Sequence, residues 1–297
     1  MKKLLALLLV LAMMFAFTAC DTNTPSNSSS PDTEDVDTDT DVDVDEDTDV
    51  DVDIDGDTDE DVDIDEDEDI DEDEEEPFDF ADLAVMSFAE YMAADIDSPV
   101  KIETYVQGKT SWWNDTVTVY SEDEDGGYFL YNLACSEDDF DSLEIGTAIR
   151  VTGYKAEWAG IIEIMDGEFE FIDGNYIADA FDVTDLLGTD ELIDYMNQFV
   201  SFTALTIVAA GEDDDGEELA FLYNWDGGGS DGDDLYFNVS NGDEEFSFTI
   251  RRFLTDSTTE VYAAVKALEI GDVVDIEGFL YWYEGPNPHI TSVVVVG

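Results

Sequence analysis

Apolar and polar positions along residues 77–297 fall into short runs of Val, Ile, Phe and Tyr, broken by Gly, Asp and Asn. This pattern predicts β-strands instead of long helices. In the first half the runs place strands at 100–107, 116–120 and 128–133, with Asp125-Gly126-Gly127 as a turn. Ser136 then caps a short helical stretch to Leu143, its first turn acidic as a helix dipole prefers. Strands resume at 148–154, 161–165 and 168–172. The second half repeats the scheme with strands at 199–208, 235–239 and 246–251, an Asn241-Gly242 turn, a helix at 258–268, and strands at 273–283 and 290–296. Residues 211–234 are a long insertion between its first two strands. Two further amphipathic helices are expected at 88–93 and 192–197.

The two halves are copies. Leu143-Glu144-Ile145-Gly146 recurs as Leu268-Glu269-Ile270-Gly271, and Ile149, Val151 and Gly153 correspond in register to Val274, Ile276 and Gly278. Phe129 to Asn132 also recurs as Phe221 to Asn224 at a different offset, which marks coincidence or a shifted insertion. Three strands, a helix, this Gly-spaced phrase and a closing hairpin follow the order of an OB-fold. Each half resembles the OB-like modules of Gram-positive surface lipoproteins and those appended to bacterial surface nucleases. The expected fold is therefore mainly β: two tandem OB-like small barrels with short helices, at 77–183 and 184–297.

Lys2 and Lys3 precede an apolar run from Leu4 to Phe17, the pattern of a secretory signal over residues 1–19. The run closes on Phe17-Thr18-Ala19-Cys20 and resembles a bacterial lipoprotein precursor, which implies lipidation of Cys20 and anchoring at the extracellular face of the cell membrane. Residues 20–76 then form an Asp-rich tether. Its Asp-Val and Asp-Glu alternation would stack like charges in a sheet, so a disordered, self-repelling coil is expected. Asp51 to Asp59 resemble the start of an EF-hand or dockerin loop, but Val62 stands at the twelfth position, where calcium needs a bidentate carboxylate.

Charge narrows the function. The chain carries 79 acidic and 9 basic residues, a formal net charge of −70. The tether holds 31 of the acids and no base, leaving −41 for residues 77–297. On these numbers nucleic acid is disfavoured as a partner. One histidine excludes a HExxH zinc site, and with Cys20 lipidated Cys135 has no disulfide partner. Binding is expected in place of catalysis.

Two candidate sites follow. Asp226, Asp231, Asp233 and Asp234 lie in a Gly-rich stretch resembling the Gly-Gly-x-Gly-x-Asp calcium repeats; no cofactor is required, and Ca²⁺ is the ion that could bind. The second site is aromatic. On an OB-fold, Lys109, Trp112 and Trp113 fall in the first loop of module one, with Lys155 and Trp158 near its last. Tyr281, Trp282, Tyr283 and His289 fall in the corresponding late loop of module two. Flat rings with polar neighbours stack on sugars or bases. The expected function is a membrane-anchored module binding a cell-wall glycan or surface protein. The alternatives are calcium-dependent adhesion and an accessory single-strand binder.

Overall fold

The computed structural model describes residues 78–297, which form one compact unit. The signal sequence, Cys20 and the acidic tether lie outside the described residues. After a 3₁₀ turn at Phe80–Asp82 and the helix α1 (Phe88–Ala93), the first barrel contains β1 (Pro99–Lys109), β2 (Thr116–Glu122), β3 (Gly127–Ala134), α2 (Glu137–Ser142), β4 (Thr147–Trp158) and β5 (Ile161–Asn175). The sheet closes in the order β1-β2-β3-β5-β4, with β3 and β5 parallel and the other neighbours antiparallel. That is the OB order. Alternate residues of β1 (Val100, Ile102, Val106) point inward onto Val117, Leu130, Leu133, Ile149 and Val151. Ser136 caps α2 by accepting the Asp139 N–H at 3.1 Å.

Short β6 (Phe181–Asp182) and two 3₁₀ turns lead into the second barrel. Its strands are β7 (Phe199–Val208), β11 (Leu235–Ser240), β12 (Glu245–Ile250), β13 (Val273–Phe279) and β14 (His289–Val295), with α3 (Glu260–Lys266) between β12 and β13. β7 pairs with both β11 and β13, and β12 runs parallel to β14, so the OB closure is reproduced. The insertion supplies β8 (Gly211–Glu212), β9 (Glu218–Leu219) and β10 (Phe221–Tyr223), the last pairing with the start of β11.

The duplication read from sequence is structural. Leu143 and Leu268, Ile149 and Val274, and Val151 and Ile276 are buried in equivalent places. Gly146 and Gly271 both turn into the fourth strand of their barrel with positive φ, +89° and +98°, where a side chain would be strained. Phe129 lies in β3 but Phe221 in the added strand β10, so that second match is coincidental. Three expectations change. Residues 161–165 and 168–172 belong to one long strand, the 192–197 helix is a 3₁₀ turn at Asp190–Tyr195, and the strand expected at 273–283 stops at Phe279.

The barrels share a third core. Tyr120, Phe129 and Ile161 of the first pack on Met196 and Phe279 of the second, with Trp158, Tyr281 and Trp282 around them. Burying a ring of Phe size contributes about 1.5–3 kcal/mol. Polar contacts fix the docking: the Phe199 N–H donates to Glu122 Oε2 (2.7 Å), Asn197 Nδ2 to the Ile162 carbonyl (2.8 Å), and the Glu284 N–H to the Ala159 carbonyl (2.8 Å).

Candidate ligand surface

An OB barrel receives ligands on the outer face of its second and third strands. In the first barrel that face is covered. Tyr120 on β2 stacks on Phe279 (4.5 Å between centroids) and Phe129 on β3 meets Tyr281 edge-on (5.3 Å). Tyr281 in turn stacks on His289 at 4.1 Å, and the Tyr120 hydroxyl lies 2.6 Å from His289 Nδ1. Burial, then the Arg251 charge, holds the imidazole well below its ordinary value, so it is neutral. Burial, then Glu163, pushes the Tyr281 hydroxyl up to about 12.

The sequence-predicted residues separate accordingly. Trp112 Nε1 donates to the Cys135 carbonyl (2.8 Å) while its ring packs on the first core. Lys109 donates to the Phe140 carbonyl, its ammonium 3.8 Å from the Phe140 ring centroid. Lys155 is buried and donates to the carbonyls of Met92 (2.7 Å) and Ala94 (2.8 Å), closing the C-terminal end of α1. Trp158, Tyr281 and Trp282 belong to the shared core, with His289 buried beside them. Trp113 and Tyr283 stand out into solvent, 70% and 53% exposed. The structure therefore does not gather the nine into one surface, because most of the loop rings that sequence position assigns to ligand are turned into the seam between barrels.

The four aspartates are likewise separated. Arg251 pairs with Asp234 (2.6 Å), Arg252 with Asp233 (2.8 Å) and Lys266 with Asp231 (2.6 Å), while Asp226 Oδ1 accepts the Gly228 N–H (3.0 Å). Among the described residues no group of three or more His, Cys, Asp or Glu side chains is placed to hold a metal ion. The other bases are also engaged. Arg150 bridges Glu103 (2.6 Å) and Glu170 (2.5 Å), and Lys101 donates to the Ala81 carbonyl (3.4 Å).

The second barrel's equivalent face is built from Tyr236, Asn238 and Ser240 on β11, in register with Thr249, Ser247 and Glu245 on β12. These alternate with the buried Leu235, Phe237 and Val239, so they point away from the core. Ser247 and Glu245 are exposed and the β11 side chains half-buried, whereas Thr249 is sealed by the strand-joining loop, its hydroxyl 3.2 Å from Asn287 Oδ1. Arg251 and Asp234 close one end of the face beside Tyr236 and Tyr283; burial raises the Tyr236 hydroxyl, Arg251 lowers it and Asp234 raises it. Sequence reading passed over Tyr236, Asn238 and Ser247, though the period-2 alternation of 235–240 marks the outward set.

No family model matches the chain, and no curated protein does. Solved structures with a similar course include the Ifi202 HINa domain in complex with 20bp dsDNA, at 10% identity over 68% of this chain and 96% of that one, TM-score 0.30. A murine DNA binding protein bound with ds DNA follows at 7% identity, 66% and 96% coverage, TM-score 0.32. A Replication Protein A heterotrimer bound to ssDNA gives 11% identity, 67% and 49% coverage, TM-score 0.29. The OB assignment of both barrels rests on their own strand order. One expectation is corrected here. Net charge was read as disfavouring nucleic acid, but solved domains with a similar chain course include ones captured on double- and single-stranded DNA, so that exclusion is withdrawn.

Proposed function

We propose that this chain is a non-catalytic binding module, carried by a lipidated Cys20 at the outer face of a cell membrane, whose ligand lies on the β11–β12 face of the second barrel. One observation carries the reading: the same face of the first barrel is filled by Phe279 and Tyr281, while that of the second presents Tyr236, Asn238 and Ser247. The first barrel thus acts as a platform for the second.

The face suits a polymer with flat rings. Tyr236 and Tyr283 beside Arg251 support stacked bases of single-stranded nucleic acid. The uncharged Asn238, Ser240 and Ser247 support an oligosaccharide. Titration of the full chain with an oligothymidine twenty-mer and with neutral hexasaccharides, following intrinsic fluorescence at two salt concentrations, separates them. Whichever binds should lose about tenfold in affinity in Tyr236→Ala, a stacking ring being worth about 1–3 kcal/mol. Binding that survives this substitution unchanged places the ligand elsewhere.

A further inference from the structure

Beyond that face lies a second group of rings. Trp113 is 70% exposed, Trp225 77% and Phe253 51%, although such rings are on average mostly buried. They come from three loops of two barrels, tied together by backbone. The Ser111 N–H donates to the Phe253 carbonyl (2.7 Å), which fastens the Trp113 loop of the first barrel to the second. The Arg252 N–H donates to Asp234 Oδ1 (2.8 Å) and the Asn224 N–H to the Asp234 carbonyl (2.8 Å), so the turn bearing Trp225 hangs from the same residue.

The loops are stiff. Trp113 and Thr116 exchange two backbone hydrogen bonds of 3.0 Å around Asn114 and Asp115, both with positive φ, which is the tight two-residue hairpin turn. Trp225 sits in a turn closed by the Gly227 N–H on the Asn224 carbonyl (3.2 Å). Rings presented in this way lose little freedom on binding.

Beside Phe253 the charge is balanced. Arg251, Arg252 and Lys266, the bases of the second barrel, are each matched by one aspartate, a neutral island in a two-barrel region of net −41. The Arg252 guanidinium also lies 4.7 Å from the Phe253 ring centroid. A polyanion finds no unpaired cation among these bases, and a cation finds these three carboxylates already bonded. A carboxylate beside a guanidinium instead offers acceptor and donors side by side, the pattern that adjacent hydroxyls satisfy, while the rings offer apolar faces.

We propose that Trp113, Trp225 and Phe253, with the Arg252–Asp233 pair, form a binding surface for an uncharged oligosaccharide, assembled from both barrels. This rests on the reading of the chain as a binding module and adds a site apart from the β11–β12 face. The test is the full chain, purified in detergent, on an array of neutral, sialylated and sulfated oligosaccharides, with the best neutral ligand then titrated calorimetrically. Trp113→Ala and Trp225→Ala should each weaken binding at least tenfold with the melting temperature unchanged. Absence of any neutral ligand, preference for the charged sugars or for an oligothymidine twenty-mer, or binding retained by the double tryptophan variant overturns the proposal. Loss in Tyr236→Ala alone overturns this surface but leaves the β11–β12 face standing.

Discussion

The Tyr120 hydroxyl and His289 Nδ1 meet at 2.6 Å across the seam, joining residues 169 positions apart. Both side chains are buried, Tyr120 between Phe129 and Phe279 and His289 against Tyr281. Burial raises the phenol and lowers the imidazole, so the tyrosine donates, Nδ1 accepts and the ring proton sits on Nε2. Tyr120→Phe leaves a buried acceptor unsatisfied and should cost about 1–3 kcal/mol in urea denaturation. The double variant Tyr120→Phe with His289→Phe removes donor and acceptor together and should cost less than the two single changes summed. An additive cycle would show that the contact carries no coupling.

Stability should also depend on two buried carboxyls. Burial pushes Glu163 up to about 7, and Glu122 reaches about 7 through burial, offset by the Phe199 N–H and reinforced by Asp123. A carboxyl raised from 4.5 binds its proton more tightly in the folded state. Its contribution is therefore complete below pH 4.5 and is lost as pH rises through 7. Each group could weaken the fold by up to about 3 kcal/mol at pH 8, at about 1.4 kcal/mol for each unit of pKa. Glu163→Gln should melt higher than its parent at pH 8 and level with it at pH 4.5. His289 acts in the opposite sense, its neutral form being favoured above pH 6.5, but comparison with the parent at each pH cancels it. A variant no more stable at pH 8 would mean that Glu163 is ionised and solvated there.

The fold was legible because the chain states it twice. Leu143 to Gly153 and Leu268 to Gly278 mark the entry to the fourth strand in each barrel, and one copy checks the other. Boundaries were less legible where a turn signal is a bulge. Asp166-Gly167 reads as a loop, but the β4 pairing only shifts register there and β5 continues to Asn175. The site was least legible. Trp158, Tyr281 and His289 have the composition of a ligand loop, and nothing local distinguishes a ring that meets a sugar from one that meets a second barrel. The clue lay on the partner strand: β2 has almost no exposed position, with Thr118 and Tyr120 buried on the side opposite Val117 and Val119. A strand buried on both faces is a strand with a neighbour.

Gly127 tests that seam by shape alone. A Cβ there would lie 2.3 Å from the Asn197 backbone carbon and 2.5 Å from the Gln198 nitrogen, main-chain atoms that cannot move aside singly. Gly127→Ala should separate the barrels or shift their docking at a cost of about 1–3 kcal/mol or more. Proteolysis between the modules, around residues 176–198, should accelerate. Unaltered resistance would mean that the docking adapts.

Calcium is the last case, and the ion pairs decide it. For Asp231, Asp233 and Asp234 to bind Ca²⁺ they must release Lys266, Arg252 and Arg251, whose side chains are only about one-third to two-fifths exposed, at 34%, 42% and 37%. Leaving three partly desolvated cations unpaired opposes what three new metal–oxygen contacts would gain. The melting temperature of the full chain should therefore change by no more than about 1 °C between millimolar Ca²⁺ and EDTA, since a ligand raises it only by preferring the folded state. Replacing Arg251 and Arg252 together by Ala frees two carboxylates within two residues of each other, and in that variant calcium should become stabilising. A saturable rise of several degrees in the unmodified chain, lost in Asp233→Asn, would instead show that the loop exchanges its arginines for the metal.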